Sequence, residues 1–198
     1  MLEPFLPLLL FTAVATLSPG GASALVTASG AHFGYRRSLP LIAGIALGLA
    51  SMGAAAAAGL GAVIEELPAL QLAIKAVGSL YLAWLALQLA LGGPPHLNRG
   101  TVRPTRFAAG VWLVWHNPKG WAMTTGAAAS FVALADGPGR LSAILGITFG
   151  VAAAISLTLW CIAGLLLARL LRRDWQWRVV NVALALLLLA SIVPMWLD

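Results

Sequence analysis

Six long apolar stretches follow one another along the chain, at about residues 4–29, 40–64, 69–91, 107–133, 141–168 and 179–197, with short polar gaps between them. Each is close to or above the roughly 20 residues that a helix needs to cross a bilayer. Their interiors are rich in Ala, Leu and Gly and lack the strict alternation of a barrel strand, so helices are predicted. The longest gap, around 92–106, carries Gly92, Gly93, Pro94, Pro95 and Pro104, and no stretch remains for a soluble domain or long linker. The pattern predicts an all-α integral membrane protein, a single transmembrane domain over residues 1–198. Phe5 to Thr12, followed by Ala13, Val14 and Ala15, has the outline of a signal peptide, but the only early charge is Glu3. A signal peptide wants a positive n-region, so residues 4–29 are read as a retained first span.

Composition agrees. Apolar residues make up 61% of 198 and charged residues 9%, against roughly 45–50% and 25% in soluble globular proteins. Eighteen charged side chains cannot cover such a core in water, which excludes a soluble enzyme and a disordered chain. The formal charge of +6 does not form one basic patch, so nucleic acid is not an expected partner; the lipid bilayer is. Cys161 is the only cysteine, which excludes an internal disulfide and a cysteine metal cluster.

The charges instead set an orientation. Arg36 and Arg37 lie in the first gap, Arg99, Arg103 and Arg106 in the third, and Arg169, Arg172, Arg173 and Arg178 around Asp174 in the fifth. The second gap has Glu65 and Glu66, the fourth Asp136 with Arg140, and the ends carry Glu3 and Asp198. Because cytoplasmic loops carry the excess of Lys and Arg, the odd-numbered gaps are expected inside and both termini outside.

The two halves of the chain also match. Gly44-Ile45-Ala46-Leu47-Gly48 aligns with Gly146-Ile147-Thr148-Phe149-Gly150, Ser18-Pro19-Gly20-Gly21 with Asn117-Pro118-Lys119-Gly120, and Lys75-Ala76-Val77 with Arg178-Val179-Val180. Three matches in one order, at offsets near 100 residues, exceed what apolar sequence gives by chance. Repeat one covers about 1–95 and repeat two about 100–198. With three spans each, the second copy is upside down, giving six helices as a 3+3 inverted repeat, a common plan of secondary transporters.

Candidate chemistry lies at the breaks. Pro19 and Pro118 fall well inside the first and fourth spans, where proline removes a backbone donor and neighbouring glycine lets the chain unwind. Helices one and four are therefore predicted to be broken. A single membrane proline usually means only a kink, but two breaks at repeat-equivalent positions point to a substrate site built from half-helix ends. Freed amides there suit a carboxylate and freed carbonyls an ammonium group. The expected substrate-binding residues are Ser18, Pro19, Gly20, Gly21, Asn117, Pro118 and Lys119, with Trp115 and Trp121 as candidate pocket walls.

Lys119 stands out because a cation far from the ends of a span is costly and usually functional; its structural alternative is to bond the carbonyls exposed by Pro118. Lys75, six residues into the third span, can snorkel and pair with Glu65 or Glu66 or serve the site. Glu65, Glu66 and His116 are candidate coupling groups. Trp112, Trp175, Trp177 and Trp196 suit interfacial anchors. His32, His96 and His116 have no metal-ligand spacing, so neither a metal nor a cofactor is expected. Gly44/Gly48 and Gly146/Gly150 suit close helix packing. No catalytic set appears: Ser18 and His116 have no third group to orient them, and no P-loop exists.

At these residues the chain resembles the lysine exporter (LysE/RhtB) family. The resemblance rests on six spans in about 200 residues, the Ser18-Pro19-Gly20 break, the Asn117-Pro118-Lys119 break, and Lys75-x-x-Gly78-x-x-Tyr81-Leu82 in the third span. It covers essentially the whole chain. It implies export of an amino acid or derivative across the bacterial inner membrane by proton or ion antiport. The chain departs from the family's usual Ser-Pro-Gly-Pro in having Gly21 where a second proline is common. No carboxylate lies deep in any span, which argues against a dicationic substrate. A divalent-cation exporter would want carboxylates, thiolate or several imidazoles in the membrane, and these are missing. An accessory subunit has no need of two equivalent breaks. A homodimer is compatible with the sequence and not dictated by it.

Overall fold

The computed structural model describes residues 3–60, 66–91, 106–171, 173–190 and 192–196; side chains at 3, 70, 71, 74, 75, 78, 81, 188, 194 and 195 fall outside that description. Among the described residues every regular element is helical. In chain order the α-helices are α1 (Leu6–Leu17), α2 (Gly21–Phe33), α3 (Tyr35–Ala55), α4 (Pro68–Ala90), α5 (Phe107–Trp115), α6 (Pro118–Ser130), α7 (Pro138–Leu170) and α8 (Asp174–Ala190). A π-helical turn, Ala56–Leu60, prolongs α3.

By length and composition, two helices among the described residues are long and apolar enough to cross a membrane: Tyr35–Leu60 and α7. A third crossing results if α1 and α2, bent by 59° at their break, count as one span. The remaining apolar stretches are occupied by α4, by α5 with α6, and by α8. Two boundaries differ from those expected. The first stretch stays helical to Phe33 and the second starts at Tyr35, because Gly34, at φ 77, is the only punctuation between them. That left-handed conformation favours glycine.

The helix that comes second in each half, α3 and α7, forms the centre, and these two make the most extensive packing in the molecule. The third helices, α4 and α8, pack on each other. Small residues let the backbones approach, as the Gly44/Gly48 and Gly146/Gly150 pairs suggested. A Cβ added at Gly44 would run into the Phe107 carbonyl of α5, and one at Gly110 of α5 would sit 2.8 Å from the Leu41 carbonyl of α3. On the other face of α3, a Cβ at Gly146 would come within 3.2 Å of the Ala50 carbonyl. The α2–α7 contact is equally close, with Gly30 against the Cys161 backbone and Gly164 against that of Thr27.

α1 is held differently. It rests mainly on α7, and only Leu8 and Thr12 are buried. A groove of about 330 Å³ runs between it and α7, lined by Ala13, Thr16, Val151, Ala152 and Ile155 among others.

Candidate functional site

The break in the first span follows from its backbone bookkeeping. Pro19 has no N–H, so the Ala15 carbonyl loses its helical donor, and the Ser18 hydroxyl donates to it instead at 2.8 Å. The Gly20 N–H turns away to the Ser23 hydroxyl, 2.8 Å. That leaves the Thr16 carbonyl, which accepts from the Ser156 hydroxyl of α7 at 2.8 Å. Gly20 is extended at φ −177, and α2 restarts at Gly21.

The break in the fourth span solves the same problem with local groups. The Asn117 side chain caps α6 by accepting from the Lys119 N–H at 3.1 Å, as an N-cap asparagine does. Lys119 N–H is therefore lost to the Trp115 carbonyl, which accepts from the Trp121 indole Nε1 at 2.9 Å. Thr16 and Trp115 stand two residues before Ser18 and Asn117, the residues matched in sequence, and their orphaned carbonyls are satisfied by different side chains.

Lys119 joins the two breaks. Its Nζ donates to the Ser18 hydroxyl at 2.7 Å, with the Pro19 and Ser18 carbonyls at 3.4 and 3.5 Å. These are carbonyls of the other half, at the C-terminal end of α1, and not those exposed by Pro118 as the structural alternative for Lys119 supposed. The arrangement is electrostatically sensible on the acceptor side, since helix C-termini carry partial negative charge. It is unfavourable on the donor side. Lys119 sits in the first turn of α6, at the positive end of its own helix, where a cation does not stabilise the helix.

A cavity of about 60 Å³ opens beside this contact, several times the roughly 10–15 Å³ that one water centre needs. Ser18, Gly20, Gly21, Asn117 and Lys119 border it, and the first turns of α2 and α6 both begin at its edge. Its far wall is apolar, formed by Ile45, Leu49, Val114, Met123, Ala153 and Leu157. No residue bordering it is acidic. A lysine and the starts of two helices border one small space, where the local potential is positive.

A family model, LysE type translocator, matches residues 13–191. The chain belongs to the LysE type translocator family. Neither a curated protein nor a solved structure matches it. Members of the family are multi-pass membrane transporters and not enzymes, and membership supports a membrane exporter of amino acids or similar small molecules.

The other site candidates fall in several places. Pro19 and Pro118 shape the breaks without bordering the cavity. Trp115 and Trp121 do not border it either: their rings meet edge to face at 5.3 Å and brace the second break, with the Trp115 indole donating to the Ser51 hydroxyl at 3.2 Å. His116 is stacked on Trp112 at 3.7 Å, with Nδ1 3.0 Å from the Trp112 carbonyl, away from the cavity. Glu66 is exposed. Glu65, the side chain of Lys75, Arg99 and Arg103 lie outside the described residues. Sequence reasoning missed Ser156, Ser23 and the apolar wall. Ser156 had no local signal, being one hydroxyl in an Ala-rich run of the fifth stretch.

Proposed function

We propose that the protein exports a small carboxylate-bearing solute, an amino acid or close derivative, with its site at the junction of the two helix breaks. The observation that carries this reading is Lys119 Nζ bonded across the breaks to Ser18 and Pro19 beside a cavity bordered by two helix N-termini. The ammonium is satisfied by neutral oxygens. A substrate carboxylate offers it a charged acceptor, and such charge-assisted bonds are roughly twice as strong as neutral ones. The carbonyls of Ser18 and Pro19 are then released, and an α-ammonium group is a suitable partner for them. The apolar wall suits an uncharged side chain, and the lack of acidic residues around the cavity disfavours a second positive charge.

The wider frame of the proposal is a six-span, 3+3 inverted repeat in the bacterial inner membrane, with helices one and four broken, both termini outside and transport driven by proton or ion antiport. The pairing of second with second and third with third helices supports it, since a two-fold axis would relate each pair to itself. Reporters fused after Arg106 and after Asp136 should report the cytoplasm and the outside respectively; the same side for both would remove the inverted repeat. The transport claim is tested by loading overproducing cells with an equimolar mixture of the twenty protein amino acids and following each in the medium. Faster loss of at least one than from control cells is expected. Identical efflux of all twenty would overturn export of protein amino acids.

A further inference from the structure

The two breaks are equivalent in sequence and unequal in how they are held. α5 is clamped to α3 by backbone contact at Gly44 and Gly110, and its orphaned carbonyl is satisfied by Trp121, a side chain of the same span. No described glycine meets α1 so closely. Leu6, Leu10 and Val14 are more than half exposed, and the 330 Å³ groove runs along its seam with α7. Its orphaned carbonyl, at Thr16, is satisfied from a different span altogether, by Ser156. Ser156 is 1% exposed and lies at the floor of the groove's lining. Thr16 also lines both the groove and the central cavity, and Ala153 and Leu157, the neighbours of Ser156 on α7, line the cavity.

We propose that Ser156 is a positioning residue for transport, a latch that holds the end of α1 against α7, and that α1 is the half-helix that moves while α5 stays fixed. Breaking one neutral hydrogen bond is a small cost. An interhelical hydrogen bond in a membrane protein contributes about 0.6 kcal/mol on average, well within reach of substrate binding. The groove gives α1 slack to move into, and no comparable slack exists where Gly110 of α5 meets the α3 backbone at Gly44. Because the Thr16 carbonyl lies two residues before Ser18, release of the latch shifts the very oxygens that hold Lys119. Substrate engagement at Lys119 and motion of α1 are then linked through four residues of backbone.

The inference rests on the reading of the breaks as the transport site, but its first test needs no substrate. In a Cys161→Ala background, spin labels at Val14 and Ile155 report the α1–α7 separation, and labels at Leu47 and Trp112 the α3–α5 separation; all four positions are exposed. In the purified protein, the α1–α7 distances should be the broader of the two distributions. Ser156→Ala should populate a longer α1–α7 distance at least threefold more and leave the α3–α5 pair unchanged, and Ser156→Thr, which keeps the hydroxyl, should restore the original distribution. Equal effects on both pairs, or none on α1–α7, would overturn the latch. Should Ser156→Ala fail to insert, the unsubstituted chain decides the matter: an α3–α5 distribution as broad as that of α1–α7 would contradict a fixed α5. Efflux of the amino acid mixture per inserted molecule gives the functional arm. Ser156→Ala should raise KM about threefold, the equivalent of the same hydrogen bond, and an unchanged KM would limit Ser156 to a structural role. Wild-type efflux from Lys119→Met would remove the site reading and leave the distance measurement standing.

Discussion

The apolar stretches 4–29 and 107–133 carry similar breaks, and comparing them shows what proline alone decides. In each, proline deletes one N–H, the next turn cannot close, and the carbonyl at Thr16 or Trp115 is left without a helical donor. Up to that point the two breaks are alike. Beyond it they diverge, because the missing donor is replaced by Ser156 from another span in one half and by Trp121 from the same span in the other. The orphaned carbonyl of one break is thus satisfied from a neighbouring helix by a single hydroxyl, and that of the other by an indole of its own stretch, with glycine contacts behind it. Lys119 adds to the asymmetry: its repeat partner is Gly20, and a Cβ added there would already be 3.4 Å from the lysine Nζ. The two halves are complementary at this point, one supplying the cation and the other the room and the acceptors.

The difference in packing gives the largest expected effect. Gly110→Val places side-chain atoms against the Leu41 carbonyl and the Ile45 amide, 2.8 and 2.9 Å from the first added carbon. Backbone cannot yield as a flexible side chain does, and overpacking typically costs about 1–3 kcal/mol, occasionally more. Most of the inserted protein should be lost, read as yield and thermal stability of the purified chain. Ala13→Val, beside the α1–α7 groove, should be tolerated. Equal losses from both would erase the distinction between a clamped α5 and a loose α1.

A smaller effect is expected where the second break is closed. Trp121→Phe keeps an aromatic ring against Trp115 but removes the donor to the Trp115 carbonyl. An unsatisfied buried acceptor costs about 1–3 kcal/mol, so the midpoint of thermal unfolding should fall by several degrees while efflux per remaining molecule stays within about twofold. If efflux per molecule fell tenfold with stability intact, Trp121 would belong to the site itself and not to its support.

Much of this was legible in the sequence, and the reasons for the rest are physical. Proline and glycine act on their own backbone, so Pro19 and Pro118 announced the breaks without any knowledge of the neighbours. The offset near 100 residues placed Ser18 opposite Asn117 and Gly20 opposite Lys119. A lysine deep in an apolar stretch was conspicuous for its solvation cost alone. What could not be read was which partner each freed group finds. Lys119 was within reach of carbonyls from either break, and only the fold shows that it takes those of Ser18 and Pro19. Trp115 and Trp121 had the right depth for a pocket wall, yet their indole donors are used on the backbone and on Ser51, which turns them behind the break. Ser156 had no signal because a lone serine in a membrane helix can bond its own preceding turn equally well; its donation to Thr16 depends on how α1 and α7 pack.

In the proposed export, the ammonium of Lys119, poised across the two breaks, is exchanged between backbone oxygens and a substrate carboxylate. Lys119→Met keeps the length and apolar stem of the side chain and removes the charge, so the direct measurement is its efflux of the amino acid mixture, normalised to membrane-inserted protein. Lys119→Met should give a folded, inserted protein whose efflux falls to the level of control cells, with Lys119→Arg also impaired because a planar fork is a poor copy of a compact ammonium. Efflux at the wild-type rate from stably inserted Lys119→Met would contradict that exchange.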